Sequence, residues 1–174
     1  MLFNILAIVE CECDISCCHY YSEICFFVCK HTQTKDVKVS RTGQNTYADA
    51  ELVELYRLGI EEDFSTLDRI LDEIQNNPDK AFKAMDQARC IVHNIKGQGT
   101  SFGFPLMTRI GDSFYTLLKH QVAQDTLHLS TPQLYEAHLK AMKSVIENEI
   151  LGDGPEIFQQ VADSLKEKVV QIVD

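Results

Sequence analysis

The stretch ADAELVELYRLGIEEDFSTLDRILDEIQ, from Ala48 to Gln75, decides the fold class. Apolar residues recur in it every three or four positions, the spacing that puts side chains on one face of an α-helix. They are Leu52, Leu55, Tyr56, Ile60, Phe64, Leu67, Ile70, Leu71 and Ile74. The stretch predicts a long amphipathic helix that ends at Asn76-Asn77-Pro78, with Gly59 as a candidate break between two pieces.

The residues that follow predict further helices joined by short turns, four or five segments in all. The second opens near Asp79, a candidate N-cap, and continues toward Gly99. The third begins at Pro105, because proline is favoured in the first turn of a helix. Thr131-Pro132 predicts a capped start for the fourth, and Gly152-Asp153-Gly154-Pro155 predicts a turn into the last.

Each segment carries an apolar stripe at helical spacing, and none shows the period-two alternation of a β-strand. The stripes comprise Phe82, Met85, Ala88, Val92, Ile95, Leu106, Ile110, Phe114, Leu117, Leu118, Leu134, Ala137, Ala141, Met142, Val145, Ile146, Ile157, Phe158, Val161, Leu165, Val169 and Ile172. Short connections between long helices favour antiparallel neighbours. We therefore predict an all-α fold, an up-down antiparallel four-helix bundle with an extra N-terminal helix or extension.

Length and charge restrict the class of function. The chain has 174 residues, typical of one domain, and 26 acidic against 16 basic residues give a net charge of −10. This balance counts against nucleic acid, whose phosphates need clustered lysine and arginine. The longest apolar stretch, Met1 to Val9, falls short of the ~20 residues of a membrane-spanning helix. We expect a cytoplasmic protein with neither nucleic acid nor membrane as a partner.

The cysteines are concentrated at the N-terminus, where six of the seven lie within the first 29 residues. They are Cys11, Cys13, Cys17, Cys18, Cys25 and Cys29. With His19 and His31 they offer enough zinc ligands, but C-x-C and C-C are not the paired C-x2-C spacing of tetrahedral sites. A secretion signal is disfavoured, because a basic n-region is missing and Glu10, Glu12 and Asp14 interrupt the apolar run.

The polar stretch from Lys35 to Thr46 is typical of a linker. We therefore expect residues 1–46 to be a cysteine-rich N-terminal extension and linker outside the core. Residues 47–174 are predicted to form the helical domain. A metal-binding or redox role of the extension is kept as an alternative.

The most informative stretch is CIVHNIKGQGTSFG, from Cys90 to Gly103. His93 is predicted at the edge of the apolar stripe, with Lys96 on the same helix face. Gly97 follows one turn after the histidine. Helical side chains lean toward the N-terminus, so bare backbone there leaves the imidazole open to a second molecule. A neutral imidazole beside an ammonium is suited to accept a phosphoryl group.

The spacing H-x-x-K-G, with a further glycine ten residues after the histidine, resembles the phosphorylation motif of histidine-containing phosphotransfer (HPt) domains. The motif residues are His93, Lys96, Gly97 and Gly103, and the string HNIKGQGTSFGFPLMTRIG is similar to stand-alone bacterial HPt proteins. The resemblance covers residues 48–174. It implies a four-helix bundle that accepts phosphoryl from a receiver-domain aspartate and passes it to another receiver.

The resemblance also implies the partners and the site residues. The partners would be response-regulator receiver domains and a hybrid histidine kinase, and the receiver would supply the divalent metal. The chain would have no autokinase activity and no cofactor or metal of its own. His93 would carry the phosphoryl group, with Lys96 as the second catalytic residue. The access and docking residues would be Gly97, Arg89, Gln98, Thr100 and Gly103.

The residues leave a second function open, a non-catalytic adaptor that binds receivers without phosphorylation. Lys96 would then be an ordinary solvated lysine, and Arg89 a surface or interface charge instead of a phosphate contact. Gln98 and Gly99 also stand where many HPt domains have serines. The G-x-G-x-x-x-G spacing up to Gly103 follows no predicted strand and differs by one residue from a dinucleotide fingerprint, which argues against nucleotide binding.

The remaining histidines and aromatics are interpreted as structural. His120, His128 and His138 lack the spacing of a metal pair. Arg109 is expected to pair with a neighbouring carboxylate. The aromatic cluster is predicted to be core, although its part next to His93 would also suit an apolar docking patch. The cluster comprises Phe102, Phe104, Phe114 and Tyr115.

Overall fold

The structure, a computed structural model, describes residues 50–124 and 127–174. Most of these residues are helical, and none of them forms a β-strand, which confirms the predicted all-α class. The helices are α1 (Ala50–Asn76), α2 (Ala81–Gly99), α3 (Pro105–Gln124), α4 (Thr131–Glu147) and α5 (Glu156–Val173). The cysteine-rich extension and linker predicted over residues 1–46 lie outside the described residues, as does the predicted domain boundary.

Helix α3 packs against α2, α4 and α5, while α1 packs against α2 and α4. Helix α5 also contacts α4. The apolar faces enclose a core of fully buried side chains, among them Leu67, Met85, Ile91, Ile110 and Leu117. Helix α2, which carries His93, is thus held on two sides, by α1 and α3.

Two buried tyrosine hydroxyls tie the helices together. The Tyr56 hydroxyl of α1 donates to the Ile95 carbonyl of α2 at 3.3 Å. The Tyr135 hydroxyl of α4 donates to the Leu67 carbonyl of α1 at 3.0 Å. A buried hydroxyl needs such a partner, and each bond fixes one helix against the next.

Helix α1 runs through Gly59 without a break, so the candidate break is not realised. A Cβ at Gly59 would meet no atom within 4 Å, and the flanking Tyr56 and Ile60 are buried. Glycine in a helix interior costs only about 1 kcal/mol relative to alanine. Burial of the adjacent apolar face outweighs that cost.

The predicted N-cap at Asp79 is wrong. Pro78–Lys80 forms a 3₁₀ turn, closed by the Lys80 amide donating to the Asn77 carbonyl at 3.0 Å. Helix α2 then begins at Ala81, with Lys80 at the N-cap position and no side-chain cap.

Helix α3 begins at Pro105, and the turn before α5 is formed by Gly152 and Gly154, both with φ of +65°; both predictions are confirmed. Helix α4 begins at Thr131, but Thr131 does not cap it. Its side chain is fully buried, and its hydroxyl has no partner among the described residues. Ser130 holds the N-cap position without a side-chain bond.

Three residues of the predicted apolar stripes are exposed instead of buried. Leu55 of α1 is 60% exposed, and Ile157 and Val161 of α5 are 62% and 38% exposed. The apolar stripes of α1 and α5 are therefore broader than the surface that the described neighbours cover.

No helix among the described residues combines the length and apolar character needed to cross a bilayer.

Candidate functional site

His93 lies in the middle of α2 at the boundary between core and solvent. Val92 is fully buried and Ile95 is nearly so, which turns His93 onto the flank of the helix, where its side chain is half-buried. This is the position that the phase of the apolar stripe predicts. The imidazole is therefore supported by the bundle without being enclosed in it.

Tyr115 of α3 lies beside the imidazole. The ring centroids of His93 and Tyr115 are 5.5 Å apart, with 53° between the ring planes, a tilted aromatic contact. Tyr115 is itself half-buried. Tyr115 therefore lies next to His93 and is not one of the buried core residues.

Lys96 lies one turn after His93 and reaches across to α3. Its Nζ donates to Asp112 Oδ1 at 2.8 Å and sits 4.4 Å from the centroid of the Tyr115 ring. The Lys96 side chain is 22% exposed, whereas that of Asp112 is 68% exposed. The ammonium is therefore held in an ion pair at the edge of the site, not extended freely into solvent.

Arg89 lies one turn before His93 and faces the same tyrosine. Its Nε and Nη2 both donate to Asp86 Oδ1, at 2.9 and 2.8 Å. Burial disfavours the charged guanidinium, but hydrogen bonds with Asp86 and Tyr115 outweigh burial and raise the pKa of Arg89. The imidazole is thus flanked by one cation in each direction along α2.

These surroundings lower the pKa of His93 below its ordinary value of 6.5. Burial is the largest cause, followed by the positive charges of Lys96 and Arg89. The imidazole is therefore neutral at physiological pH, with a lone pair on one ring nitrogen. A neutral imidazole is the form that acts as a nucleophile.

Gly97 is exposed, and a Cβ built on it would meet no atom within 4 Å. The neighbouring Gln98 and Thr100 are exposed as well. The Thr100 hydroxyl donates to Thr108 Oγ1 of α3 at 2.9 Å, which fixes the end of α2. The helix surface just after the imidazole is therefore exposed and has no side chain at position 97.

The other two glycines of this stretch have structural roles. A Cβ at Gly99 would lie 2.9 Å from the Phe104 carbonyl oxygen, closer than real Cβ contacts come. Gly103 is buried with φ of +88°, and its carbonyl accepts the Gly152 amide at 2.9 Å. Gly103 thus forms a turn inside the fold, whereas the prediction placed it among the docking residues.

Sequence reasoning missed the α3 residues that complete the site. A Cβ at Gly111 would lie 2.8 Å from Lys96 Cβ, so the two helices approach closely there. Thr108 donates from its hydroxyl to the Lys96 carbonyl at 2.9 Å, and Asp112 pairs with the ammonium. The available signal was Thr108, Asp112 and Tyr115 at spacings of four and three, a second polar face on α3.

The aromatic cluster divides between core and site. Phe104 and Phe114 are buried, as predicted, and Phe114 packs edge-on against Tyr135 at 4.8 Å. Phe102 is half-buried and stacks on Tyr56, with the two ring centroids 4.6 Å apart. Only Tyr115 of the cluster contacts His93.

Two further predictions concern residues outside the site. Arg109 Nη2 lies 2.7 Å from Asp163 Oδ1, which confirms its expected pairing with a carboxylate. His138 is fully buried and stacks on Phe114 at 5.0 Å. Its Nδ1 lies 2.7 Å from the Leu134 carbonyl, and its Nε2 lies 3.0 Å from Ser113 Oγ.

Within residues 50–124 and 127–174, no three histidine, cysteine, aspartate or glutamate side chains are grouped to hold a metal ion. Comparisons with protein-family models, with curated proteins and with solved structures found no match to this chain.

Proposed function

We propose that this chain is a cytoplasmic histidine phosphotransfer protein of a multistep phosphorelay. His93 accepts a phosphoryl group from the aspartate of one receiver domain and passes it to another. Helices α1 to α4 form an up-down antiparallel bundle that presents His93, and α5 adds to α3 and α4. The pattern of packing, in which α1 contacts both α2 and α4, supports this arrangement.

One observation carries the proposal: a neutral, half-buried imidazole stands next to open backbone at Gly97 and between two cations. A histidine with a purely structural role has no need of an unobstructed approach. A nucleophile attacking an electrophile on another protein does need one. The glycine at position 97 supplies that approach.

In the transfer step, one bond to phosphorus forms while another breaks. The unprotonated ring nitrogen of His93 attacks the phosphorus of the partner's aspartyl phosphate. The N–P bond forms as the bond from phosphorus to the aspartyl oxygen breaks, and the carboxylate leaves with the electron pair. The other ring nitrogen keeps its proton. Catalysis in such a step is mainly positioning and charge stabilisation.

Lys96 is the residue that stabilises the transferred group. Its ammonium is paired with Asp112 before transfer, and a phosphoryl group on His93 offers it a more highly charged partner. The pair is at the surface, where an ion pair contributes only about 0–1 kcal/mol, so exchanging Asp112 for phosphoryl oxygens is inexpensive. Arg89 is bound to Asp86 and acts through the charge that it places near the imidazole.

Receiver domains and a hybrid histidine kinase are the proposed partners. The receiver binds over Gly97, Gln98 and Thr100, which form the open surface after the imidazole. It also supplies the acidic site and the divalent metal, so this chain needs no cofactor of its own.

A non-catalytic adaptor is the second candidate function. The ion pairs of Lys96 with Asp112 and of Arg89 with Asp86 favour it, because both cations already have carboxylate partners. Such an adaptor would bind the same receivers over the same surface without accepting phosphate. The two functions differ in whether a phosphoramidate forms on His93.

The test is incubation of the full chain with a receiver, magnesium and acetyl phosphate, followed by measurement of protein-bound phosphate. We expect phosphate on this chain that is labile in acid and stable in base. His93→Gln should lose this phosphate. His120→Gln is the control, because it alters a histidine of α3 outside the site, and it should keep the phosphate. No label on the wild type would favour the adaptor, and label that persists in His93→Gln would disprove the assignment of His93.

A further inference from the structure

Tyr115 lies beside the charged and nucleophilic side chains that α2 contributes to the site. Its ring contacts the His93 imidazole at a centroid distance of 5.5 Å, and the Lys96 ammonium lies 4.4 Å from the same ring centroid. It also interacts with the Arg89 guanidinium, whose pKa it helps to raise. These three partners span two turns of α2, and all of them lie beside one residue of α3.

The close approach of the two helices explains how one side chain reaches all three. Gly111 and Tyr115 are four residues apart and so lie on the same face of α3. The bare backbone of Gly111 sits against the Lys96 side chain, where a Cβ would come within 2.8 Å. The tyrosine, one turn further along, therefore lies directly over the His93 turn of α2.

The contacts of Tyr115 differ from those of a core aromatic. Phe114, the preceding residue, is fully buried and packs on Tyr135 and His138 inside the bundle. Tyr115 is half-buried and contacts an imidazole and an ammonium, and it interacts with a guanidinium. A cation is attracted electrostatically to an aromatic face, and this attraction favours one position of a flexible lysine.

We propose that Tyr115 is a positioning residue for phosphotransfer, holding the His93 imidazole in one orientation and keeping the Lys96 ammonium beside it. The ring does this by its contacts with both groups. Tyr115 touches no reacting atom of the partner and acts only through these two residues. The inference rests on the proposed function and adds to it a residue that determines the geometry of the acceptor.

The test compares Tyr115→Leu and Tyr115→Phe with Phe102→Leu in the full chain. Phe102→Leu is the matched control, because Phe102 is also half-buried but stacks on Tyr56. Two quantities are measured: the rate of phosphorylation by an acetyl-phosphate-loaded receiver, and the pKa of His93 by NMR of its imidazole protons. If Tyr115→Leu does not fold, as judged by circular dichroism, Tyr115→Met replaces it, since methionine adapts to irregular space.

We expect Tyr115→Leu to slow phosphorylation by about 10- to 100-fold, the scale of a misplaced reacting group. The pKa of His93 should rise toward 6.5, because the imidazole loses the ring that covers it. Tyr115→Phe keeps the ring, so the pKa should stay near the wild-type value and the rate should fall less than in Tyr115→Leu. Phe102→Leu should change neither quantity.

A Tyr115→Leu protein with the wild-type rate would overturn the inference while leaving His93 as the acceptor. A slower rate with an unchanged His93 pKa would overturn it too, because the ring contact would then not govern the imidazole. If the wild type takes up no phosphate, the proposed function itself fails, and the positioning role fails with it.

Discussion

Gly97, like Gly59 of α1, is a residue whose identity packing does not explain. Gly99 and Gly111 must be glycine because a Cβ at either position would collide with a neighbouring atom. At Gly97 a Cβ would meet nothing within 4 Å. The cost in helix stability at position 97 therefore has no compensation inside the fold. Access to His93 is the compensation that the proposed function supplies.

Substitutions at Gly97 should separate stability from transfer. Gly97→Ala should raise the free energy of unfolding by about 0.5–1 kcal/mol, because alanine is the better helix former and the space is open. Gly97→Glu should keep the helical circular dichroism but slow phosphotransfer, because its carboxylate crowds and repels the phosphoryl group. Urea denaturation and receiver labelling measure the two effects. Normal transfer in Gly97→Glu would contradict the role given to open backbone.

His138 should make the fold sensitive to acid. Burial lowers its pKa to about 4, and its hydrogen bond to the Leu134 carbonyl only partly opposes this. Since the folded pKa lies below the ordinary 6.5, the unfolded chain binds the proton more tightly between the two values. The contribution of His138 to stability is complete above pH 6.5 and is lost as the pH falls through about 4.

The measurement is the free energy of unfolding in urea at pH 7.5 and at pH 5.0. The His138 contribution to the loss between these two values should be about 2 kcal/mol. His138→Phe, which can still stack on Phe114, should lose that part of the difference whatever its absolute stability. If the free energy of unfolding of His138→Phe falls between pH 7.5 and pH 5.0 as much as that of the wild type, His138 is not the group that makes the fold sensitive to acid.

At the scale of elements, the pairing of α2 with α3 creates the site. Helix α2 supplies His93 and Lys96, while α3 supplies Asp112 and Tyr115. The close approach at Gly111 sets how the two helices meet. The proposed phosphotransfer therefore depends on a packing contact as well as on the motif.

Gly111→Ala should separate the two helices. The added Cβ would meet Lys96 Cβ at 2.8 Å, so a helix has to shift, and we expect a loss of about 1–3 kcal/mol in stability. Gly59→Ala is the control, because the same change on the open face of α1 should stabilise the protein by about 0.5–1 kcal/mol. Urea denaturation compares them. Equal effects of the two substitutions would contradict the close approach.

The motif predicted the α2 half of the site and not the α3 half. The phase of Val92 and Ile95 is enough to place His93 at the core boundary, and an open Gly97 follows from the same helix. Asp112 and Tyr115 lie 16 and 19 residues beyond Lys96 on another helix, and their alignment depends on how closely Gly111 lets the helices pack. A single helix pattern contains no information about that distance.

At the scale of the whole molecule, apolar spacing was sufficient to predict the all-α class. Each helix has its own stripe, so the class needs no knowledge of tertiary contacts. The predictions that were wrong concern the exposure of side chains and the start of a helix, both of which depend on neighbouring parts of the structure. Ile157 is exposed because no described helix covers that part of α5, and Asp79 does not cap α2 because a 3₁₀ turn intervenes.

The described helices should unfold as one unit, because their core is shared. Leu117 is fully buried where α3 meets α4 and α5, in a cluster with Leu134 and Val169. Leu117→Ala should lower the free energy of unfolding by about 2–5 kcal/mol in a single transition. The exposed Ile157→Ala should change it by less than about 0.5 kcal/mol. Separate unfolding transitions would contradict a shared core.

A phosphorus NMR spectrum of the full chain after incubation with a phosphorylated receiver tests most directly whether His93 accepts a phosphoryl group. We expect a phosphohistidine resonance in the wild type that is missing from His93→Gln, with the fold of that variant intact by circular dichroism. A wild-type spectrum without this resonance, or the same resonance in His93→Gln, would contradict the role of His93 as the acceptor.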